Sequence, residues 1–167
     1  VQTVIAADAP VIVGVVKIPQ VEPTEALGQL KRKLGKWEGQ LTQSLTGDVI
    51  DVSNEWTLTS GGSTIMESVV EDGVSMFTTY SDEEGELVVK HYCALGTEPV
   101  FTVNEATDRV IALSFDESRS PLMRDSHDFV NSMRWTLDSS DSNSMVYEYT
   151  VNLDGELTTN RAELKRQ

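Results

Sequence analysis

Apolar and polar side chains alternate every second residue over most of the chain from Trp37 onward. A period of two is typical of β-strands, because successive side chains point to opposite faces. Glycine turns such as Asp72-Gly73, Glu84-Gly85 and Asp154-Gly155 interrupt the alternation at short intervals. The pattern predicts strands over residues 37–45, 51–59, 64–71, 74–81, 86–95, 99–105, 109–116, 127–138, 144–153 and 156–164.

One segment before these strands has the period of a helix. Thr24 follows Pro23 as an N-cap, leucines recur on one face at Leu27, Leu30 and Leu34, and Gly35 ends the segment. We expect this short helix to cover one end of a barrel. Together, the elements predict an all-β fold, an antiparallel up-and-down lipocalin-like barrel of about 8–10 strands with one short N-terminal helix. A β-sandwich is the alternative, since strand number does not distinguish the two.

The first twenty residues form a different kind of segment. Pro10 and Pro19 exclude a regular place inside a sheet, yet six β-branched apolar residues lie between them: Val11, Ile12, Val13, Val15, Val16 and Ile18. We therefore divide the chain into an extended apolar arm, residues 1–21, and a barrel domain, residues 22–167. Such an arm must cover its own barrel or a neighbouring subunit. The shortage of free edges on a closed barrel favours a homodimer through residues 1–20.

Alternation also assigns an inward face to each strand. Both histidines, the single cysteine, two tryptophans and two tyrosines fall on predicted inward faces. Aromatic walls with a few polar groups are typical of small-molecule sites. The sequence therefore predicts a small apolar or amphipathic ligand inside the barrel, bound by Trp56, His91, Cys93, His127, Met133, Trp135 and Tyr147. The alternative is that these bulky side chains simply fill the barrel.

Charge excludes several classes of partner. Lys and Arg number 13 against 27 Asp and Glu, a net charge of −14. Nucleic acids and anionic membranes require a basic surface, so neither is an expected partner. No apolar stretch approaches the roughly 18 residues of a membrane-spanning helix. One cysteine, Cys93, allows no internal disulfide, and the apolar start of the chain could follow a signal cleavage, so an exported location is slightly favoured over the cytoplasm.

The histidines and the cysteine allow other chemistries. His91, Cys93 and His127 are suitable zinc or copper ligands, and one histidine could hold haem. Cys93 with His91 or His127 is formally a nucleophile and base, to which Glu67 could supply a carboxylate. His91 and His127 could also serve as acid and base of an isomerase or hydrolase acting on a hydrophobic substrate. The chain has no nucleophile elbow, P-loop, dinucleotide fingerprint or zincin helix. We therefore assign no catalytic residue, no metal ligand and no cofactor.

The run from Gly85 to Pro99 contains the sequence His91-Tyr92-Cys93, then small residues, a glycine and a proline. It resembles the signature of an uncharacterised bacterial lipocalin-like (calycin-type) family, which also has a helix followed by G-x-W, here Gly35-Lys36-Trp37, and a later stretch like residues 127–135. The likeness covers roughly residues 27–164, with Thr97-Glu98 where the family has an amide pair. It implies a lipocalin-like barrel without an established activity. In such barrels a basic residue of the last strand, here Arg161, packs on the tryptophan.

Overall fold

The structure is a computed structural model that describes residues 11–13, 16–18 and 22–167. Strands β1 (Val11–Val13) and β2 (Val16–Ile18) pair with each other antiparallel, with Val11 opposite Ile18. The other residues of the predicted arm, residues 1–21, lie outside the described residues. The same holds for most of the segment through which we expect the homodimer, residues 1–20. Both expectations therefore stay predictions.

Ten longer strands form one closed barrel. They are β3 (Gly35–Gln43), β4 (Val49–Thr59), β5 (Thr64–Glu71), β6 (Val74–Glu83), β7 (Glu86–Tyr92), β8 (Val100–Ala106), β9 (Val110–Phe115), β10 (Phe129–Leu137), β11 (Ser144–Leu153) and β12 (Glu156–Arg166). Each pairs antiparallel with its neighbours in the chain, and β12 pairs with β3 to close the ring. The predicted up-and-down barrel is confirmed, with strand ends shifted by no more than about three residues.

A short helical cap covers one end of the barrel, which we call the helix end. Helix α1 (Glu25–Leu30) continues as a 3-10 turn, Lys31–Lys33. The hydroxyl of Thr24 accepts a hydrogen bond from the amide of Leu27 at 3.2 Å and donates one to Asp82 at 2.7 Å. Because Asp82 lies near the end of β6, this contact fixes the start of the helix to the barrel. No helix in the described residues is long and apolar enough to span a membrane.

The seam between β3 and β12 depends on a glycine. Gly39 lies opposite Leu164, and a Cβ atom built on Gly39 would lie 1.9 Å from the carbonyl oxygen of Glu163. No real side chain tolerates that distance to a backbone atom, so the two strands approach this closely only with glycine at position 39.

Trp37 is buried at the helix end, as expected, but the basic residue that packs on it differs from the predicted one. Trp37 is fully buried. The guanidinium carbon of Arg166 lies 4.3 Å from its ring centroid, and Arg166 also donates to the carbonyls of Leu34 and Arg32. The prediction for Arg161 is wrong: it is exposed and pairs with Glu163 at 2.8 Å. Ala162 and Leu164 face inward on β12, so Arg161 faces solvent and Arg166 continues the inward face.

Candidate ligand site inside the barrel

Four aromatic side chains pack together in the barrel interior. Trp56 of β4 stacks on Tyr80 of β6 with ring centroids 5.0 Å apart, and its edge meets Trp135 of β10 at 5.4 Å. Trp135 in turn stacks on Tyr147 of β11 at 5.1 Å. All four side chains are buried. This aromatic cluster therefore connects opposite walls of the barrel.

Strand register places polar side chains in a row on one wall. Glu67 of β5 lies between two partners, Trp56 of β4 and Thr78 of β6. Thr78 in turn lies opposite His91 of β7. The hydroxyl of Thr78 and Nδ1 of His91 share a hydrogen bond of 2.8 Å. We call Asn54, Glu67, Thr78 and His91 the polar wall. Trp56 and Tyr80, on the same strands as this wall, meet Trp135 of β10 across the interior.

Glu67 is the acidic group at the centre of the polar wall. Its carboxylate accepts a hydrogen bond from the hydroxyl of Tyr80 at 2.6 Å and another from the amide nitrogen of Asn54. Burial raises the pKa of Glu67 to about 7, although these two hydrogen bonds favour the charged form. Within residues 22–167 no cation lies within ion-pair distance of this carboxylate. Glu67 is therefore a buried carboxyl group that changes charge near neutral pH.

Lys33 is the basic counterpart at the helix end. It ends the 3-10 turn and is 1 % exposed. Burial lowers the pKa of Lys33 to about 8, while the charge of Glu67 opposes that shift from beyond ion-pair distance. Within residues 22–167 no carboxylate lies within ion-pair distance of the ammonium group. A buried amine is stabilised in its charged form by an anionic partner.

Several polar atoms in the cluster also have no hydrogen-bond partner. Five buried side-chain atoms of the described residues are unpartnered, and three belong here: Oδ1 of Asn54 and Nε1 of Trp56 and Trp135. Whichever way the Asn54 amide is turned, one terminal atom faces Glu67 and the other has no partner. The indole of Trp37, by contrast, donates to the carbonyl of Lys33 at 2.9 Å. Three of the five unpartnered atoms thus lie in the barrel interior.

The structure brings most of the predicted site residues together. Trp56, Met133, Trp135 and Tyr147 are all buried in the interior. His91 is buried on the polar wall, toward the far end of the barrel, where β7 ends at Tyr92. Cys93 follows that strand and is half-buried. Whether these residues bind a ligand stays a prediction.

His127 is not on a strand, which differs from its expected position. β10 begins two residues later, at Phe129, and the amide of Met123 donates to Nδ1 of His127 at 3.0 Å. A turn over residues 124–126 is closed by hydrogen bonds from the amides of Ser126 and His127 to the carbonyl of Met123, and residues 127–128 lie between this turn and the strand. His127 therefore lies, half-buried, in the connection between β9 and β10.

The structure describes how His91 and Cys93 are placed for the metal and nucleophile alternatives. Residues 22–167 contain no group of three His, Cys, Asp or Glu side chains placed to hold a metal ion, so His91, Cys93 and His127 do not form one. Burial lowers the pKa of His91 to about 4 and raises the pKa of the Cys93 thiol. A nucleophilic cysteine needs the opposite shift, toward the thiolate.

Three important residues were not among the predicted site residues: Lys33, Asn54 and Tyr80. Glu67 was considered only as a partner for a histidine. The sequence does contain a sign that Glu67 is buried, because this charged residue lies between Ile65 and Val69, two apolar residues of the same strand face. The inward face of β5 could not be assigned from the sequence, because Met66 and Val70 make the other face apolar as well.

Two surface grooves lie outside the barrel. One, of about 830 Å³, includes Gln40, Thr42, Arg161 and Glu163 among its lining residues, and the other, of about 600 Å³, includes Glu38, Asp51 and Ser53. Their lining is mainly the solvent-facing side of the strands. The interior cluster is therefore separate from both grooves.

Comparison with known proteins shows a likeness of fold. No family model and no curated protein matches the chain. A protein of unknown function from the DUF3598 family of Nostoc punctiforme has 16% sequence identity and a TM-score of 0.59. The match covers 87% of this chain and 51% of that one, so this chain spans about half the length of the Nostoc protein.

Two further solved structures match with lower TM-scores. A redesigned β-barrel has 14% identity and a TM-score of 0.41, covering 86% of this chain and 96% of that one. EF1p2_mFAP2b bound to DFHBI has 12% identity and a TM-score of 0.45, covering 85% and 99%. These two weaker likenesses carry no argument. What the comparisons show is that the chain shares its fold with the Nostoc protein.

Proposed function

We propose that the barrel binds a small amphipathic organic molecule in its interior, beside Trp56 and Trp135. The observation that carries this proposal is the set of three unpartnered buried atoms in one cluster: Oδ1 of Asn54 and Nε1 of both tryptophans. An unpaired buried polar atom is destabilising by about 1–3 kcal/mol, so native proteins seldom keep several together. A ligand with hydrogen-bonding groups would satisfy them.

The two sides of the interior support an amphipathic ligand. The polar wall offers Asn54, Glu67 and His91, whereas Met133, Trp135 and Tyr147 on β10 and β11 offer apolar surface. A barrel of ten strands is also wider than one of eight, which is just wide enough for side chains or one small ligand. A molecule with a polar group on one side and an apolar body on the other would match both walls.

The far end of the barrel supports a route of entry. The helical cap covers the opposite end, while Glu71, Met76 and Cys93 at the far end are half-buried rather than buried. The connection that carries His127 joins the far ends of β9 and β10, and Asn152 holds it by donating to the carbonyls of Arg124 and His127 at 2.8 Å. On this proposal Cys93 and His127 lie along the entrance and His91 lies deeper.

The test begins with native mass spectrometry of the purified protein and with displacement of a fluorescent fatty acid, cis-parinaric acid. Because the aromatic side chains are packed together, an entering ligand must shift them, and tryptophan emission should change on binding. Replacing both Trp56 and Trp135 with Phe keeps the ring surface but removes the unpartnered N–H groups. We expect this double variant to weaken binding by about tenfold or more. Trp37→Phe is the matched control and should bind normally.

Two results would contradict the proposal. One is a protein without any co-purified molecule that fails to bind the fluorescent probe. The other is equal loss of binding in Trp37→Phe and in the double variant, which would place the probe away from the cluster. The likeness to the uncharacterised lipocalin-like family agrees with a ligand-binding role and adds no activity to it.

A further inference from the structure

The unpartnered polar groups of the interior are mostly hydrogen-bond donors. Nε1 of Trp56 and Nε1 of Trp135 donate, and Oδ1 of Asn54 is the one acceptor among these three atoms. The ammonium of the buried Lys33, which has no ion pair within residues 22–167, is a third donor nearby. The oxygens of Glu67 already accept from Tyr80 and Asn54. A ligand that satisfies this set must bring acceptor atoms rather than donors.

All three donors belong to the helix end of the barrel. Lys33 lies on the cap over this end, Trp56 lies three residues before the end of β4, and Trp135 lies two residues before the end of β10. Trp56 is directly opposite Glu67, whose charge acts on Lys33. The donors therefore belong to the same end of the interior.

We propose that the ligand is an organic acid, and that its carboxylate lies at the helix end, where it accepts hydrogen bonds from Lys33 and from the indoles of Trp56 and Trp135. This inference rests on the proposed function. A carboxylate has about four lone-pair positions on two oxygens, enough for three donors. It also brings a negative charge to Lys33, since no carboxylate of residues 22–167 lies within ion-pair distance of that ammonium.

Charge balance makes the binding of an acid depend on pH. Glu67, with a pKa of about 7, must be protonated for a second carboxylate to enter beside it, and Lys33, with a pKa of about 8, must stay charged. Acid binding should therefore be strongest below pH 7 and lost above pH 8. The other titratable groups that act on Glu67 or Lys33 are Tyr80, Arg166 and, from the far end, Glu71. The interior also contains His91, Cys93, Tyr147 and Tyr149. Burial keeps the three tyrosines and His91 neutral at these pH values.

Three probes with one chain length and different head groups test the inference: octanoate, octanol and octylamine. Binding is followed by tryptophan emission and native mass spectrometry at pH 6 and pH 8.5. We expect octanoate to bind at least about tenfold more tightly than octanol at pH 6, the usual effect of a charge-assisted hydrogen bond. The preference should disappear at pH 8.5, while octanol binding should not change.

Lys33→Met should remove the preference for octanoate over octanol but leave the affinity for octanol unchanged. Lys33→Arg keeps the charge and should retain part of the preference for octanoate. The control is Lys36→Met, because Lys36 is exposed and pairs with Glu38 at the surface. If Lys33→Met does not fold, the pH dependence of the unmodified protein and the Lys33→Arg variant still decide the question.

Equal affinities for octanoate and octanol at pH 6 would contradict the inference that the ligand is an organic acid, and so would tightest binding of octylamine. Neither result would contradict the proposed function. Binding of none of these probes, together with no displacement of cis-parinaric acid, would contradict the proposed function itself. An octanoate preference that survives in Lys33→Met would show that the carboxylate lies elsewhere.

Discussion

At the scale of single residues, Glu67 and His91 stand out because burial shifts their pKa values with opposite consequences for stability. The pKa of Glu67 rises from 4.5 to about 7, so the stability that its proton provides is present at low pH and lost as the pH rises through 7. The pKa of His91 falls from 6.5 to about 4, so its contribution is present above pH 6.5 and lost as the pH falls through 4. Between about pH 4.5 and 6.5 the two effects oppose each other.

Glu67→Gln should reveal the first of these effects. Gln is similar in shape and carries no charge, so the variant should gain stability relative to the unmodified protein as the pH rises from 5 to 8. The shift in pKa corresponds to a relative gain of roughly 2–3 kcal/mol. Urea unfolding at a series of pH values measures it. A difference between the two proteins that stays constant with pH would show that Glu67 is not a buried carboxyl.

His91→Gln serves as the control because its expected trend is the reverse. Relative to the unmodified protein, this variant should lose stability as the pH rises from 4.5 to 7, since the neutral buried histidine becomes favourable over that range. Finding the same trend in both variants would point to a general charge effect rather than to two specific groups.

At the scale of secondary-structure elements, the barrel depends on how closely the first and last of its strands approach. β3 and β12 pair from Trp37 to Gln43 and close the ring. Gly39 lies within this pairing and has backbone atoms of β12 where a side chain would begin. The cap adds a second connection, since Arg166 at the end of β12 donates to the carbonyls of Arg32 and Leu34.

Gly39→Ala should therefore destabilise the protein by more than about 3 kcal/mol, because backbone cannot move aside as a flexible side chain can. Gly28→Ala is the control: it lies within α1 and has no atom within 4 Å of the added Cβ. We expect that change to be neutral or to stabilise by about 0.5–1 kcal/mol, as alanine favours helix. Thermal and urea unfolding of both variants and of the unmodified protein measure these differences in stability. Similar stabilities for both variants would mean that the seam is more open than described.

At the scale of the whole molecule, we propose that the apolar arm pairs two copies of the chain. Six β-branched residues between Val11 and Ile18 form an unusually apolar stretch in a protein with a net charge of −14. A closed barrel offers few unpaired strand edges for its own arm. A second copy could cover this surface in a two-fold dimer.

Light scattering on the full chain and on a shortened chain that begins at Glu22 tests the dimer. We expect the full chain to be a dimer and the shortened chain a monomer with a lower melting temperature. Removing a surface of six such side chains should be clearly measurable, since each contributes about 1.5–3 kcal/mol when fully buried. If both chains are monomers with equal melting temperatures, the arm neither pairs subunits nor stabilises the barrel.

The sequence by itself determined the strands, the helix and most of the inward faces. Alternation is a local property, and the chain repeats it between clear glycine turns, so ten strands could be placed and Trp56, Met133, Trp135 and Tyr147 assigned to the interior. His127 could not be placed in this way. Its amide and ring nitrogen are hydrogen-bonded to Met123 at the end of a turn, so the strand begins only at Phe129, and alternation does not report such bonds.

The tertiary structure alone decided which of these side chains meet. Contacts between strands depend on register and closure, which local alternation does not contain. Register places Glu67 between Trp56 and Thr78, closure brings β12 to β3 so that Arg166 rather than Arg161 reaches Trp37, and the cap turns Lys33 into the barrel. Burial then sets the pKa values of Glu67 and Lys33, because a charge loses its hydration only when distant parts of the chain surround it.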